Sequence, residues 1–187
     1  MKSYLSSVNK QFRYYKMLGE KAMEQLHDKE LCWQYNEESN SIAILVNHLA
    51  GNMLSRFTDF LTSDGEKSWR NRDEEFLNKE NSASEIMDQW NKGWNVLFHA
   101  LENLKEEDLE KIIYIRNDGH TVTEALNRQL AHYAYHIGQI VFIAKMIKNK
   151  DWQTLSIARN KSAEYNNLKF SQEKDKRHFT DDLKLPR

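Results

Sequence analysis

The sequence predicts an all-α protein, a four-helix bundle with a short extra helix near the C-terminus. Pro186 is the only proline among 187 residues, so nothing blocks long helices along most of the chain. Glycine is scarce, at six residues, which argues against a loop-rich all-β fold. Four stretches place apolar residues at alternating steps of three and four, the spacing of one helix face. Four amphipathic helices of this kind bury their apolar faces by packing together.

The first predicted helix runs from about Ser3 to Asp28, and the second from about Ser41 to Leu61. An irregular link, Lys29 to Asn40, joins them. In each helix the three–four rhythm marks the face that we expect to enter the core. This face carries Leu5, Val8, Phe12, Tyr15, Gly19, Ala22 and Leu26 in the first helix, and Ile42, Leu45, Leu49, Asn52 and Arg56 in the second.

Capping boxes mark the start of the next two helices. Ser82-Ala83-Ser84-Glu85 opens a helix that continues to about Leu104, and Thr121-Val122-Thr123-Glu124 opens one that continues to about Asn149. Between them, Lys111 to Ile115 is short, apolar and β-branched, which predicts a brief extended segment. A last short helix is predicted from about Lys161 to Phe170. Residues 1–170 are thus expected to form one domain, and residues 171–187 a polar tail.

Charge and composition exclude several classes of partner. The net charge is −1, and no basic stripe is present, so the sequence lacks the footprint of a protein that binds nucleic acid or an anionic membrane. No window approaches the ~18 apolar residues that span a bilayer, and the N-terminus lacks the apolar run of a signal peptide. The single cysteine, Cys32, fits a reducing compartment. We therefore expect a cytoplasmic protein.

The fourth predicted helix carries an unusual core face. His132 and His136 are four residues apart, so they lie one above the other on the same side of the helix. The whole face consists of Val122, Ala125, Gln129, His132, His136, Gln139, Ile143 and Met146. Its last turns are apolar, as expected of a core, but its middle carries two imidazoles and two amides. Such a polar cluster is costly in a core unless hydrogen bonds or a metal ion partner it, and the pair alone leaves both interpretations open.

A third histidine, His48, lies beside the core face of the second helix. Three inward imidazoles are suited to a divalent first-row metal, and three protein ligands leave the open position typical of catalytic zinc sites. Candidates for hydrogen bonds around such a site are Asn52, Gln129, Tyr135 and Gln139. Asn52 and Arg56 could instead close the bundle end through a hydrogen bond or an ion pair. His99 lies off the core face and His120 in a predicted turn, so neither is expected among the ligands.

The residues from Ser63 to Asn81 are strongly charged. A run of this kind is ordinarily a solvated loop. Arg70, Arg72 and Trp69, beside the predicted site, could also form a rim that receives an anionic substrate.

Five segments together resemble the DinB superfamily of bacterial helical-bundle metalloproteins, and more narrowly a Bacillus-type branch of it. The similarity covers most of the chain. The most specific element is a helix-two histidine followed later by the H-x-x-x-H-x-G-Q pattern. The segments that carry the similarity are Val46–Phe57, Thr62–Glu66, Trp69–Phe76, His132–Ile140 and Trp152–Ile157.

This resemblance implies a bundle with a mirrored up-and-down topology, often assembled as a homodimer. It also implies one divalent transition metal, foremost Zn²⁺ with Ni²⁺ or Mn²⁺ as alternatives, held by His48, His132 and His136. Some members of the family are thiol S-transferases that join bacillithiol, or a related low-molecular-weight thiol, to an electrophile; others are metal-dependent hydrolases. In a transferase, arginines would hold the carboxylates of the thiol. Arg56 and Arg128 are the first candidates for this role, with Asn52 and Gln139 as further substrate contacts.

Three functional hypotheses follow. The chain is a metal-dependent enzyme, with a transferase ranked before a hydrolase, or a binding protein in which the metal anchors a small molecule without turnover. In the third hypothesis the histidines are hydrogen-bonded residues of a purely structural core. Three histidines with amides around them favour the first two hypotheses, and no general base is assigned in either.

Overall fold

The computed structural model describes residues 2–183. Pro186 and the last residues of the predicted polar tail lie outside this part of the chain. The structure is mostly helical, at 59 %, with a small two-stranded sheet. Within residues 2–183 the helices are α1 (Lys2–Met23), α2 (Asp28–Leu31), α3 (Ile42–Phe57), α4 (Ala83–Asn103), α5 (Val122–Lys148) and α6 (Ser162–Phe170). The strands are β1 (Ile112–Ile115) and β2 (Asp118–Thr121).

The predicted helix starts are confirmed by their caps, while two predicted helix ends are wrong. Ser82 and Thr121 each accept a hydrogen bond from the backbone three residues on, and Glu85 and Glu124 complete the boxes. The first helix ends at Met23, and α2 follows as a separate turn. The second ends at Phe57 rather than Leu61, because Asp59 takes a left-handed conformation with φ of 49°.

The long helices pack as a helical bundle around one core. Helix α3 lies against α4, and α1 lies against α5. The rings of Phe12, Trp94 and Tyr133 meet between these helices, with centroids 5.9 to 6.4 Å apart. Large rings from three different helices thus fill the centre of the bundle. The mirrored order of the helices stays a prediction.

Helices α3 and α4 approach closely at a glycine. A Cβ added at Gly93 would lie 2.8 Å from the Cα of Ala50, whereas one at Gly138, on α5, would have no neighbour within 4 Å. We expect Gly93→Ala to lower the free energy of unfolding by about 1–3 kcal/mol, since the helices must separate. Gly138→Ala, the matched control, should raise it by up to about 1 kcal/mol. Urea unfolding of the metal-free proteins measures both, and equal midpoints would contradict the prediction.

The predicted core face of α5 is correct in its first half and wrong in its last turns. Val122, Gln129 and His136 are buried, but Met146 is 43 % exposed. The core face instead continues through Tyr133, Ile137, Ile140 and Ala144. An α-helix has 3.6 residues per turn, so a three–four pattern drifts by about 20° every seven residues and leaves the core over a long helix.

The predicted extended segment is confirmed as β1, and it pairs with β2 in an antiparallel hairpin. The turn residues Arg116 and Asn117 have positive φ values of 57° and 65°. Asp64, in the loop after α3, accepts a hydrogen bond from the backbone N–H of each, at 2.9 Å. The hairpin is therefore tied to the loop after α3, which brings Arg116 beside the predicted site.

The segment after α6 packs on α1. Phe179 meets the ring of Tyr14 edge-on at 5.1 Å, and Asp181 forms an ion pair with Lys10. Thr180 is buried between these contacts. Among the described residues, no helix carries an apolar stretch long enough to cross a membrane.

Candidate metal site

The structure brings the three predicted histidines together. Helix α3 supplies His48, and α5 supplies His132 and His136 from consecutive turns. One nitrogen from each ring lies within 4.8 Å of the other two, and this group could hold a metal ion. The Nε2 atom of His132 is 3.3 Å from that of His48 and 3.0 Å from that of His136. His48 and His136 are buried, and His132 is half-buried.

In two of these rings, the Nδ1 atom faces a hydrogen-bond acceptor, and this contact fixes the tautomer of the ring. The Nδ1 of His48 lies 2.9 Å from Oε2 of Glu75, and the Nδ1 of His136 lies 2.9 Å from Oε1 of Gln139. A ring nitrogen beside a carboxylate or an amide oxygen carries the hydrogen and donates it. In its neutral form, each of these two rings points the lone pair of its Nε2 atom toward the centre of the group.

This arrangement leaves lone pairs that the protein alone does not satisfy. The Nε2 atom of His132 carries at most one hydrogen, so it can serve only one of its two neighbours. A cation shared by the three nitrogens would satisfy all of them. Two nitrogens bound to one zinc ion at about 2.0–2.1 Å in tetrahedral geometry lie about 3.3 Å apart, and the observed separations are 3.0 and 3.3 Å. The residues therefore fit a divalent metal.

The surroundings of His132 and His136 favour their neutral forms. Burial, followed by the neighbouring His136 and His48 and the cationic Arg56 and Arg70, lowers the pKa of His132 to about 3. Burial also lowers the pKa of His136, and the hydrogen bond with Gln139 opposes it only in part. A neutral imidazole keeps the lone pair that a metal requires.

Glu75 is a site residue that the sequence interpretation missed. Burial opposes its ionisation, but hydrogen bonds from His48 and Arg70 outweigh burial and hold the pKa of the carboxyl below its usual value. Arg70 donates from Nε to Oε1 at 2.7 Å and from a terminal nitrogen to Oε2 at 2.9 Å. The carboxylate approaches α3 so closely that a Cβ at Gly51 would lie 2.3 Å from it. The charged run gave no signal for this pair, because residues five apart are not neighbours on a helix face.

Arg70 and Arg56, two of the arginines expected to bind an anionic substrate, are buried within the site rather than exposed at its edge. The side chain of Arg70 is only 2 % exposed, because it is locked to Glu75. Arg56 is also buried and donates to the carbonyl of Gly65 and, at 3.0 Å, to Glu66. Burial, the largest effect, lowers the pKa of Arg56. Both side chains are largely buried, and both line the cavity that is described below.

The predicted polar contacts divide into satisfied and unsatisfied groups. Asn52 accepts a hydrogen bond from the hydroxyl of Tyr133 at 3.0 Å, and Gln139 donates to the hydroxyl of Tyr135 at 3.2 Å. By contrast, Oε1 of the buried Gln129 and Nε of Arg56 have no hydrogen-bond partner among the described residues. Buried polar atoms of this kind are uncommon unless a ligand or water completes them.

A cavity of about 490 Å³ opens over the histidines. Besides the three histidines, Asn52, Gln129 and Tyr135, its walls include five arginines: Arg56, Arg70, Arg72, Arg116 and Arg128. Arg128 is exposed, and one of its terminal nitrogens lies 3.3 Å from Nε2 of His120. His99, predicted to lie outside the site, is exposed on α4 and contacts Asn103. The predicted substrate residues Arg56, Arg128 and Asn52 thus line one cavity. Gln139 does not line it and instead contacts Nδ1 of His136.

Comparison with known protein families gives a match over most of the chain. The family model described as "Protein of unknown function (DUF1572)" matches residues 1–161, which include every residue of the site described above. This family is part of the DinB-like superfamily. None of the curated proteins matches the chain.

Proposed function

The chain belongs to the DUF1572 family within the DinB-like superfamily, and we propose that it is a metal-dependent thiol S-transferase acting on a small electrophile. The metal would be one divalent transition ion, foremost Zn²⁺, held by His48, His132 and His136. The observation that carries this proposal is the convergence of three Nε2 atoms, at least one of which the protein leaves without a hydrogen-bond donor. The Bacillus-type branch and the homodimer remain part of this proposal.

The chemistry that such an ion supplies, when bound, is a lower pKa of a thiol that coordinates it, so that sulfur reacts as the thiolate at neutral pH. The protein's own residues orient the ligands. Glu75 holds the ring of His48, and Gln139 holds the ring of His136, each through Nδ1. Outer partners of this kind fix the tautomer and direction of a ligating imidazole.

The excess positive charge of the cavity favours a thiol substrate that carries negative charge. Five arginines line the cavity, and within the part of the chain that the structure describes, two carboxylates, Glu66 and Glu75, pair with them. Three positive charges are left over beside the histidines. Guanidinium groups bind carboxylates through paired hydrogen bonds. A low-molecular-weight thiol that carries carboxylates, as bacillithiol does, fits this surplus.

In the proposed reaction the sulfur attacks an electrophilic carbon, so that a carbon–sulfur bond forms while the bond to the leaving group breaks. The leaving group departs with the bonding electron pair, and the proton of the thiol passes to water. Hydrolysis, the second reaction expected of this superfamily, would use a general base to activate water. Glu66 and Glu75 are the carboxylates beside the cavity among the described residues, and both are held by arginines. This observation favours the transferase.

Elemental analysis and turnover test the proposal together. The native chain, purified without a metal-affinity tag, should contain about one equivalent of a transition metal. With 1-chloro-2,4-dinitrobenzene as the electrophile, it should convert mercaptosuccinate with a higher kcat/KM than the neutral 2-mercaptoethanol. Metal without conversion of either thiol would contradict the transferase and support a non-catalytic binding protein. A chain that holds no metal and takes up no Zn²⁺, Ni²⁺ or Mn²⁺ would contradict both.

A further inference from the structure

A second cavity, of about 460 Å³, lies between the loop after α2 and the outer face of α5. Its apolar walls come from Trp33 and Tyr35 on one side and from Phe142, Ile143 and Met146 on the other. Phe142 is 64 % exposed, and Tyr35 is 72 % exposed. Phe142 and Met146 lie on the side of α5 that faces away from the core, whereas Ile140 and Ala144 face the core. The exposed side chains of Phe142 and Met146 create an apolar surface outside the core.

This cavity borders the cavity over the histidines. Asn40 lines both cavities. Gln139 lines the apolar cavity and also contacts Nδ1 of His136 at 2.9 Å and the hydroxyl of Tyr135 at 3.2 Å. A single amide side chain thus separates the apolar cavity from a histidine of the group. Asn40 and Gln139 therefore lie at the boundary between the apolar cavity and the histidines.

The two cavities differ sharply in charge. Five arginines line the cavity over the histidines, whereas the only charged side chain that lines the apolar cavity is Glu38. A carboxylate disfavours an anionic occupant, and aromatic rings with a methionine favour a flat, uncharged one. The volume lies within the range of small-molecule sites, about 300–1,000 Å³.

We propose that the apolar cavity binds an uncharged aromatic group of the electrophile, while the arginine-lined cavity holds the anionic thiol. This inference rests on the proposed transferase function. It assigns the two reactants to opposite sides of Gln139, so that sulfur and the electrophilic carbon meet over the histidines. Phe142 and Trp33 then determine which electrophiles are accepted, and they take no part in binding the thiol.

Equilibrium dialysis with 2,4-dinitrotoluene, an unreactive analogue of the electrophile, tests the inference on the metal-loaded chain. The native protein should bind about one equivalent. Phe142→Gln should weaken binding about tenfold, since one buried aromatic contact is lost. Phe170→Gln is the matched control, because Phe170 is 83 % exposed on α6 and lines neither cavity. In turnover, Phe142→Gln should raise KM for the electrophile about tenfold and leave KM for mercaptosuccinate unchanged.

The outcomes separate this inference from the function on which it rests. If no thiol is converted but the probe still binds, with loss only in Phe142→Gln, the cavity assignment stands and the transferase fails. If the two glutamine variants bind the probe as the native chain does, the cavity assignment fails. A native dimer that Phe142→Gln dissociates, in a chain that binds no probe, would show that a second copy covers this face and would also overturn the inference.

Discussion

Replacing His136 with alanine is expected to reduce the metal content of the chain from about one equivalent to a small fraction of it. His136 is buried, and its Nε2 lies 3.0 Å from that of His132, so its loss leaves two ligands where three converged. A site with two imidazoles lacks the three protein ligands that typically hold a catalytic zinc ion. Elemental analysis of the purified variant, before and after dialysis against Zn²⁺, gives the measurement.

His99→Ala is the matched control for this experiment. It removes one imidazole from the same protein, but His99 is exposed on α4 and does not belong to the group. We expect the control to keep its metal. Full metal content in His136→Ala would mean that the ion is bound elsewhere, and the proposed function would then lose its central observation.

Replacing Glu75 is expected to damage stability and metal binding together. Glu75→Ala would leave the guanidinium of Arg70, with a side chain 2 % exposed, buried without its partner. Removing one partner of a buried ion pair costs about 3–5 kcal/mol of the free energy of unfolding. The ring of His48 also loses the acceptor at Nδ1, and loss of such an outer partner typically weakens metal binding by about 10–100-fold. Urea unfolding and competition with a chelator measure the two effects.

A double variant separates the ion pair from the orientation of the histidine. Arg70→Met combined with Glu75→Met leaves no unpaired charge, so its stability should lie well above that of Glu75→Ala, while its metal affinity stays low. Glu74→Gln is the control, because the neighbouring Glu74 is exposed. If Glu75→Ala unfolds at the same urea concentration as Glu74→Gln and keeps its metal affinity, Glu75 has no part in the site.

The bundle and its histidines could be predicted because local patterns encode them. Capping boxes fixed the starts of α4 and α5, and the burial of Gln129 and His136 followed from the face that they share with Val122. His48 could be added since it lies beside the core face of its own helix. The exposure of Met146 was predicted wrongly, because a three–four pattern drifts by about 20° every seven residues around an α-helix and leaves the core over a long helix.

Glu75 and Arg70 could not be assigned from sequence for a different reason. Both stand in a run of charges, where an ordinary solvated loop has the same composition as a buried network. What distinguishes them is the space beside Gly51, which admits the carboxylate. That space arises only when the loop folds back onto α3, a tertiary contact with no periodic signature in the chain.

The ligands of the proposed metal come from helices that are distant in the chain, since His48 and His132 are 84 positions apart. An unfolded chain cannot bring these three histidines together, so the ion would bind almost exclusively to the folded state. Such a ligand stabilises the folded state by about 2.7 kcal/mol when its free concentration is 100 times its Kd. In the cell, metal supply would therefore act on the lifetime of the protein. We expect the metal-starved chain to unfold more often and to be degraded faster, so that its abundance follows the metal available to it.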